Sequence, residues 1–559
     1  MPTSIDTQQD SRFEVRAENL SAHELETWTV LSDAEKLVVR KLIGPGAKLV
    51  SGPRGSGKST LLRLAYFSLL KSKAALPVYV NFSKALALEP LFHSHADAVR
   101  LFRLWVIAKI VDGVGVTFSE LGDTPPESLA DALTESRAYI ARLETGTPPD
   151  ASQFQLSPSG LKTLLSELAE HVGGSRTVLL LDDAAHAFSV RQQREFFEVY
   201  RELRSRDISA KAAIYPGVTS FSPSFQVGHE AELIEVWFRP DTETYLEGIR
   251  QIAARRFPEL EARLGNNYPD VVNTLGLAAF GLPRGFVNMV GEMTDLMELN
   301  VPIRKAALEA ISTQAESVLA VFQNIADKLP RFSNYVNLGK RFFSKSVVAI
   351  RHFNKSKEPK KKSATISLLE PFADELERTL RFMEYAGLTR RIGGLYKGEK
   401  GQYRRYSVHY ACLIEANGLA LGSNYRLADI VASLRRPLAH SLVKSKAESL
   451  LGLNYARDCT LALPPCSKCG APRISDDQKF CMGCGNELRA ASIYAELLRA
   501  PIDLLPIPAR KKLALKESNI LTVQQILSDE SQRFRRPGTS IGPIWARRIL
   551  TIAEEYTSV

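Results

Sequence analysis

The sequence lacks any run of about 18 or more apolar residues, so no stretch of it reads as a membrane-spanning helix. Its first twenty residues, MPTSIDTQQDSRFEVRAENL, have no basic start followed by an apolar run, which argues against a secretory signal. Cysteine is scarce. Six in 559 residues do not make a disulfide scaffold, and four of them fall within the nineteen residues from Cys466 to Cys484, a clustering that suggests metal in a reducing compartment. A cytoplasmic location is therefore expected, with nucleoid association if the chain binds DNA. The length is too great for one compact core and predicts roughly three to five units. With 45% hydrophobic and 24% charged residues, the composition is that of an ordinary globular protein.

The net charge of +10 is modest but unevenly placed. Between Arg331 and Tyr410 stand eighteen Lys and Arg against seven Asp and Glu, an excess as large as that of the whole chain. Such clustering favours a polyanion partner, although a basic face with no ligand has the same composition.

Gly52-Pro53-Arg54-Gly55-Ser56-Gly57-Lys58-Ser59 fits the G-x-x-x-x-G-K-[ST] pattern. Ala47 to Val50 reads as a strand before it, and Thr60 to Leu70 as a helix after it. Glycines allow the turn whose backbone N–H groups cradle phosphate, Lys58 supplies a cation for the β and γ phosphates, and the Ser59 hydroxyl can ligate Mg²⁺. Residues 52 to 60, Thr60 included, are the expected nucleotide contacts.

A P-loop sheet needs a second strand ending in an acid, and "VLLLDD" supplies one. Asp182 is the candidate for the Mg²⁺ side and Asp183 for polarising an attacking water, while His186 beyond them receives no role. Pro77 to Phe82 reads as another parallel strand, and Leu161 to Val172 as an amphipathic helix leading into the acidic strand. Lys211 to Phe221 reads as a further strand whose polar end, Thr219 and Ser220, would lie beside the γ-phosphate; an ordinary strand-ending turn would look the same. Ala231 to Phe238 would be the last strand before the pattern turns helical.

P-loop, acidic strand, polar-ended strand, helical lid and "LAAFGLPRGFVNMVGEM" resemble, in that order, the AAA+ ATPases of the origin-recognition and replication-initiator class. The resemblance covers roughly residues 30 to 320. It implies that Arg284, in Gly-Leu-Pro-Arg, reaches the γ-phosphate as second sensor and that Thr219 or Ser220 is the first. Two departures stand out. Asp183 replaces the usual glutamate with a shorter side chain, which predicts slow hydrolysis. The arginine finger expected just before the last strand is missing, because no arginine occurs between Ala212 and Phe238; Arg239, Arg201, Arg204 or Arg206 could substitute. Both departures also fit the STAND signalling ATPases, which use nucleotide chiefly as a switch.

Downstream, Leu376, Leu380 and Met383 repeat at helical spacing and Gly387 would cap the helix. Leu388 to Ile392, a Gly/Lys-rich turn and the alternating strand Gln402 to Tyr410 follow, the order that ends a winged helix. Arg390, Arg391, Lys397, Lys400, Arg404 and Arg405 would line the wing and pair with DNA phosphates, although winged helices also bind proteins. The basic run Lys355 to Lys362 could add phosphate contacts. Cys466-x₂-Cys469-x₁₁-Cys481-x₂-Cys484 offers four thiolates to tetrahedral Zn²⁺, with Gly470 and Gly485 easing each turn, as in a rubredoxin-like ribbon. Cys412 and Cys459 read as buried apolar residues. In the tail, a helix around Ala509 to Leu515, "NILTVQQIL" and a helix opened by Ser540-Ile541-Gly542-Pro543 resemble a helix-hairpin-helix domain, particularly the C-terminal domain of the RNA polymerase α subunit. That resemblance implies that Gly542, Arg547 and Arg548 touch DNA; a small helical domain for protein contacts would look similar.

The expected architecture is multidomain α/β: an N-terminal extension (1–33), a P-loop parallel-sheet core (34–245), a helical lid (246–325), a winged-helix domain (326–450), a zinc ribbon (455–492) and a helix-hairpin-helix domain (497–559). The expected activity is that of an ATP- and Mg²⁺-dependent, DNA-binding switch or loader, with Zn²⁺ in the ribbon. Duplex DNA and partner proteins are the expected partners, and nucleotide-dependent self-association is compatible with the resemblance. The competing reading is a STAND-like signalling or defence ATPase whose C-terminal domains sense a trigger.

Overall fold

The structure, a computed structural model, describes residues 12–83, 88, 90–91, 97–146, 154–183, 190–396, 401–435, 443–474, 478, 480–488, 493–529 and 541–557. His186, Lys397, Lys400 and Ser540 lie outside the described residues.

Five parallel strands form the first sheet: β1 (Lys48–Ser51), β2 (Leu76–Asn81), β3 (Thr177–Asp182), β4 (Ile208–Ile214) and β5 (Glu232–Glu235), in the order β2-β3-β4-β1-β5. One strand therefore separates the P-loop strand from the acidic strand. Parallel crossovers cover both faces, so β3 is buried throughout and Val178 to Leu181 form an unbroken apolar run. Val178 and Leu180 pack with Leu61 and Leu62 of the helix Lys58–Ser72, while Leu179 and Leu181 join the opposite core with Trp105 and Phe196. The insertion between β2 and β3 includes two long helices, Ala98–Leu121 and Glu127–Glu144. At the sheet edge, Glu232 of β5 meets Lys41 and Lys48 at 2.7 and 2.6 Å.

The polar-ended strand is shorter than the sequence suggests. β4 stops at Ile214, and Tyr215 to Thr219 is a turn closed by the Thr219 hydroxyl, which accepts from Tyr215 N–H (3.0 Å) and donates to Tyr215 C=O (2.8 Å).

Helices Tyr245–Arg256, Tyr268–Ala278, Pro283–Glu298 and Ile303–Lys328 make the lid. The last of these runs through the expected boundary at 325. The 22-residue helix Ser333–Asn354 follows, then a second sheet in the order β7-β8-β6-β9. Its strands are β6 (Thr365–Leu369), β7 (Thr389–Tyr396), β8 (Gln402–Val408) and β9 (Val443–Ser445), and the helix Asp374–Tyr385 precedes β7. The helix and the two strands expected from the sequence occur in that order; β6 and β9 add two strands to them. One apolar core is continuous from the lid through this sheet to the C-terminal helices Ala509–Glu517, Val523–Leu527 and Pro543–Thr557.

The tail docks on the lid through buried polar groups. Trp545, 1% exposed, donates its indole N–H to Glu292 (3.1 Å), and Arg510 pairs with the same carboxylate at 2.7 Å. Burial pushes neighbouring Asp295 up to about 6, with Lys511 opposing. A carboxyl raised in the folded state contributes stability that is present below its unfolded value and is lost as pH rises through about 6. Asp295→Asn is accordingly expected to stabilise the chain at pH 7.5 by on the order of 1 kcal/mol, and by less at pH 5. Thermal melts at the two pH values check this; equal shifts at both would contradict it.

Candidate functional site

The phosphate-binding segment is built by backbone constraints. Gly55 and Gly57 adopt φ of 79° and 93°, in the left-handed region that favours glycine. A Cβ on Gly52 would come within 2.4 Å of the Val236 carbonyl, so the loop can pass that close to the end of β5 only with glycine there. The helix Lys58–Ser72 begins at Gly57 without a side-chain cap, leaving its first-turn N–H groups directed to the loop. Lys58 is buried, and its Nζ donates to the carbonyls of Gly52 (2.8 Å) and Pro53 (3.0 Å). Burial pulls its pKa down to about 7, against the pull of Asp183 and Asp182.

Asp182, at the end of β3, is fully buried and accepts the Tyr79 hydroxyl at 2.8 Å. The Ser59 hydroxyl lies close enough to this carboxylate to favour its ionised form. Burial raises Asp182 to about 7, and Asp183 pushes it further. The pair expected to hold Mg²⁺, Ser59 and Asp182, is thus brought together, and a hydroxyl beside a carboxylate is oxygen chemistry suited to that ion. Asp183 takes a left-handed conformation (φ 51°), and its carboxylate accepts the Tyr215 hydroxyl at 3.1 Å. It lines the same cleft as Gly55, Lys58, Ser59 and Arg284.

The position beyond β4 belongs to Tyr215. Its ring lies 3.7 Å beneath Lys58 Nζ, while the Thr219 hydroxyl is engaged in the turn and the Ser220 N–H is held by Gln193 (2.5 Å). Sequence reasoning singled out the polar residues and passed over this aromatic; its place directly after the apolar strand end was the available signal. Arg284 stands in the first turn of the lid helix Pro283–Glu298, and its Cβ is 3.2 Å from where a Cβ on Gly55 would sit. Its guanidinium pairs with Glu555. The N-terminal segment expected as an extension instead walls the cleft: Glu18, Leu20, Trp28 and Leu31 line it opposite the lid's Ile252 and Val287. Of the substitute arginines, Arg201 pairs with Glu198, Arg204 with Glu230 and Arg239 with Asp241 at the surface.

The expected DNA contacts are largely turned inward. Arg390 pairs with Asp241 at 3.0 Å, and Arg404 binds Glu370 (2.6 Å) and Glu377 (3.3 Å), so both brace the second sheet against its neighbours. Arg405 reaches back to the Ile392 carbonyl (3.3 Å), whereas Arg391 is exposed. In the tail, Arg548 stacks on Trp545 (4.4 Å) and donates to the Asn288 carbonyl of the lid (3.4 Å); burial lowers it to about 10. Arg547 lies 3.9 Å from buried Glu14. Gly542 is exposed at the helix start, its carbonyl accepting the Ala546 N–H (2.9 Å). Arg390, Arg404 and Arg548, expected as DNA contacts, are thus already engaged by part-buried carboxylates, a carbonyl and an indole.

Among the described residues, one group of side chains is arranged to hold a metal: Cys466, Cys469, Cys481 and Cys484, whose sulfurs lie within 4.8 Å of one another. Sγ separations of 3.7 Å (Cys466 to Cys484) and 3.4 Å (Cys469 to Cys481) are near the roughly 3.8 Å that tetrahedral zinc requires. The two turns repeat one geometry. Gly470 and Gly485 N–H each bond the carbonyl four residues back, Cys466 and Cys481, at 2.8 and 2.9 Å. Four thiolates in this set fit zinc; the expected ribbon is reduced to one isolated bridge, Phe480 with Glu487, among the described residues.

No protein-family model matches the chain, and no curated protein matches it. Solved structures that resemble it at low identity include the following two. A Walker-type ATPase of Pyrococcus abyssi is 13% identical with a TM-score of 0.42, covering 73% of this chain and 100% of its own. Cdc6p of Pyrobaculum aerophilum is 15% identical with a TM-score of 0.30, covering 76% of this chain and 99% of its own. No helix among the described residues is long and apolar enough to cross a membrane.

Proposed function

We propose that the chain is an ATP-dependent switch of the initiator-like AAA+ class that engages duplex DNA according to nucleotide state. The observation that carries the nucleotide half is the convergence of Lys58, Ser59, Asp183 and Arg284 on one cleft at an uncapped helix N-terminus. Lys58 and Arg284 would hold phosphate oxygens, and the helix start would supply backbone donors. Mg²⁺, held by Ser59 and Asp182, supplies charge neutralisation between the phosphates. Asp183 is fixed by Tyr215 and reaches less far than a glutamate, which suits a slow hydrolase that uses ATP mainly to set a conformation.

The DNA half rests on a surface that the wing does not provide. Along helix Ser333–Asn354, Lys340, Arg341, Lys345 and Arg351 are all exposed, and at 3.6 residues per turn they fall within an arc of about 140° on the solvent side of the helix. Exposed Lys355, Lys357, Lys360 and Lys361 continue the stripe, with Glu358 the single acid among them. A 22-residue helix is about 33 Å long, roughly one turn of duplex, so the stripe matches a run of phosphates. Full-chain binding to duplex DNA is expected to weaken steeply with salt. Replacing Lys340, Lys345 and Arg351 together by glutamine should flatten the log–log salt slope by about 2 to 3. Fluorescence anisotropy across salt concentrations checks this, and an unchanged slope would place the contact elsewhere.

A further inference from the structure

We propose that Arg54, Arg284 and Lys328 form a subsite for the terminal phosphate of a nucleoside triphosphate, that Glu555 of the C-terminal helix fills this subsite in the present structure, and that triphosphate binding releases the helix. The inference rests on the nucleotide reading above and adds its regulation.

Glu555 is far from the P-loop in sequence, yet it lines the phosphate cleft. Its carboxylate pairs with Arg284 and lies 3.8 Å from Arg54 Nη2. Its main-chain carbonyl accepts from Lys328 Nζ at 2.9 Å and from Arg54 at 3.4 Å. A carboxylate and a helix C-terminal carbonyl together present several oxygens to three cations, much as a phosphate would. Burial alone would raise the Glu555 carboxyl, but Arg284, Arg54, Arg16 and Lys328 outweigh it and hold the group at about 2. It therefore stays ionised at neutral pH.

Each cation belongs to a different element. Arg54 is a P-loop residue, whose backbone N–H also bonds the Tyr385 carbonyl (3.1 Å) at the end of the helix before β7. Arg284 opens the lid helix, and Lys328 closes the helix Ile303–Lys328. Because Arg284 packs directly over Gly55, a phosphate seated in the loop would compete for the guanidinium that now holds Glu555. The lid helix that carries Arg284 also carries Glu292, the buried acceptor of Trp545 and Arg510. A shift of that helix toward phosphate would loosen the tail at both ends.

The test is titration of the full chain, with and without Glu555→Gln, using non-hydrolysable adenosine triphosphate analogue and adenosine diphosphate. A filled subsite reduces apparent affinity by the fraction of molecules that are open, so the substitution should tighten triphosphate binding by about tenfold and change diphosphate binding less. Hydrogen exchange on the unmodified chain supplies a readout that does not depend on the variant folding: saturating triphosphate should increase exchange across residues 543–557. Unchanged or weaker triphosphate binding by a folded Glu555→Gln chain would overturn the latch, as would equal tightening of both nucleotides, or tail exchange unchanged or slowed by triphosphate. Failure of both chains to bind any nucleotide would instead remove the P-loop reading on which the latch rests.

Discussion

Lys58→Ala is expected to lower the full chain's affinity for a non-hydrolysable adenosine triphosphate analogue by at least about 100-fold, since each charge-assisted hydrogen bond to phosphate contributes about 1.5 to 3 kcal/mol. Lys58 is enclosed between the Tyr215 ring and two carbonyls of its own loop, so no other described cation starts from the same place. Arg54 and Arg284 approach from the side of Glu555 and would retain weak anion affinity. The substitution is not expected to unfold the chain, because it removes a desolvated ammonium from a site where burial already disfavours its charge. Calorimetric titration beside a thermal melt separates the two effects. Unaltered binding in a folded variant would mean that the glycine loop does not cradle phosphate.

Cys481→Ser is expected to reduce bound zinc from about one ion per chain to near zero and to unfold the segment around it. The segment has little else to hold it. No described residue of 466–488 belongs to any of the three apolar cores, and Ile474, Phe480 and Met482 are 77%, 60% and 83% exposed. Structural zinc contributes on the order of 10 kcal/mol or more to the folding of such a unit. The P-loop sheet has its own two cores, so the nucleotide site should survive the change. Metal analysis with limited proteolysis reads both outcomes; a chain purified under reducing conditions without metal, yet protected at 466–488, would contradict the assignment.

What the sequence makes legible here is local. The P-loop glycines, the apolar run into Asp182 and the Cys-x-x-Cys pairs each encode their geometry within a few residues: the first two stand before the expected helix and on the expected strand, and the four cysteines lie together. The helix Asp374–Tyr385 and the strands after it follow likewise from period and turn chemistry. Partners that come from far along the chain are not legible this way. Nothing near Glu555 marks it as a neighbour of Arg54, and nothing near Arg404 marks Glu370 as the partner that neutralises it. Basic residues counted along the wing suggested a phosphate-binding edge, but whether a cation faces solvent depends on acids that only the fold brings close. The same limit hid the N-terminal segment's role, because Trp28 and Leu31 acquire a function only when the lid closes the other wall of the cleft. Thr219 shows a local effect instead. Its hydroxyl bonds the backbone four residues earlier, the local competition that short polar side chains often win in turns.

The measurement that tests the account most directly is duplex DNA affinity of the full chain at fixed salt, by anisotropy, with Mg²⁺ and the triphosphate analogue and again without nucleotide. The account predicts a difference of about tenfold or more between the two states, abolished by Lys58→Ala. Equal affinity in both states, or no salt-sensitive binding in either, would contradict it.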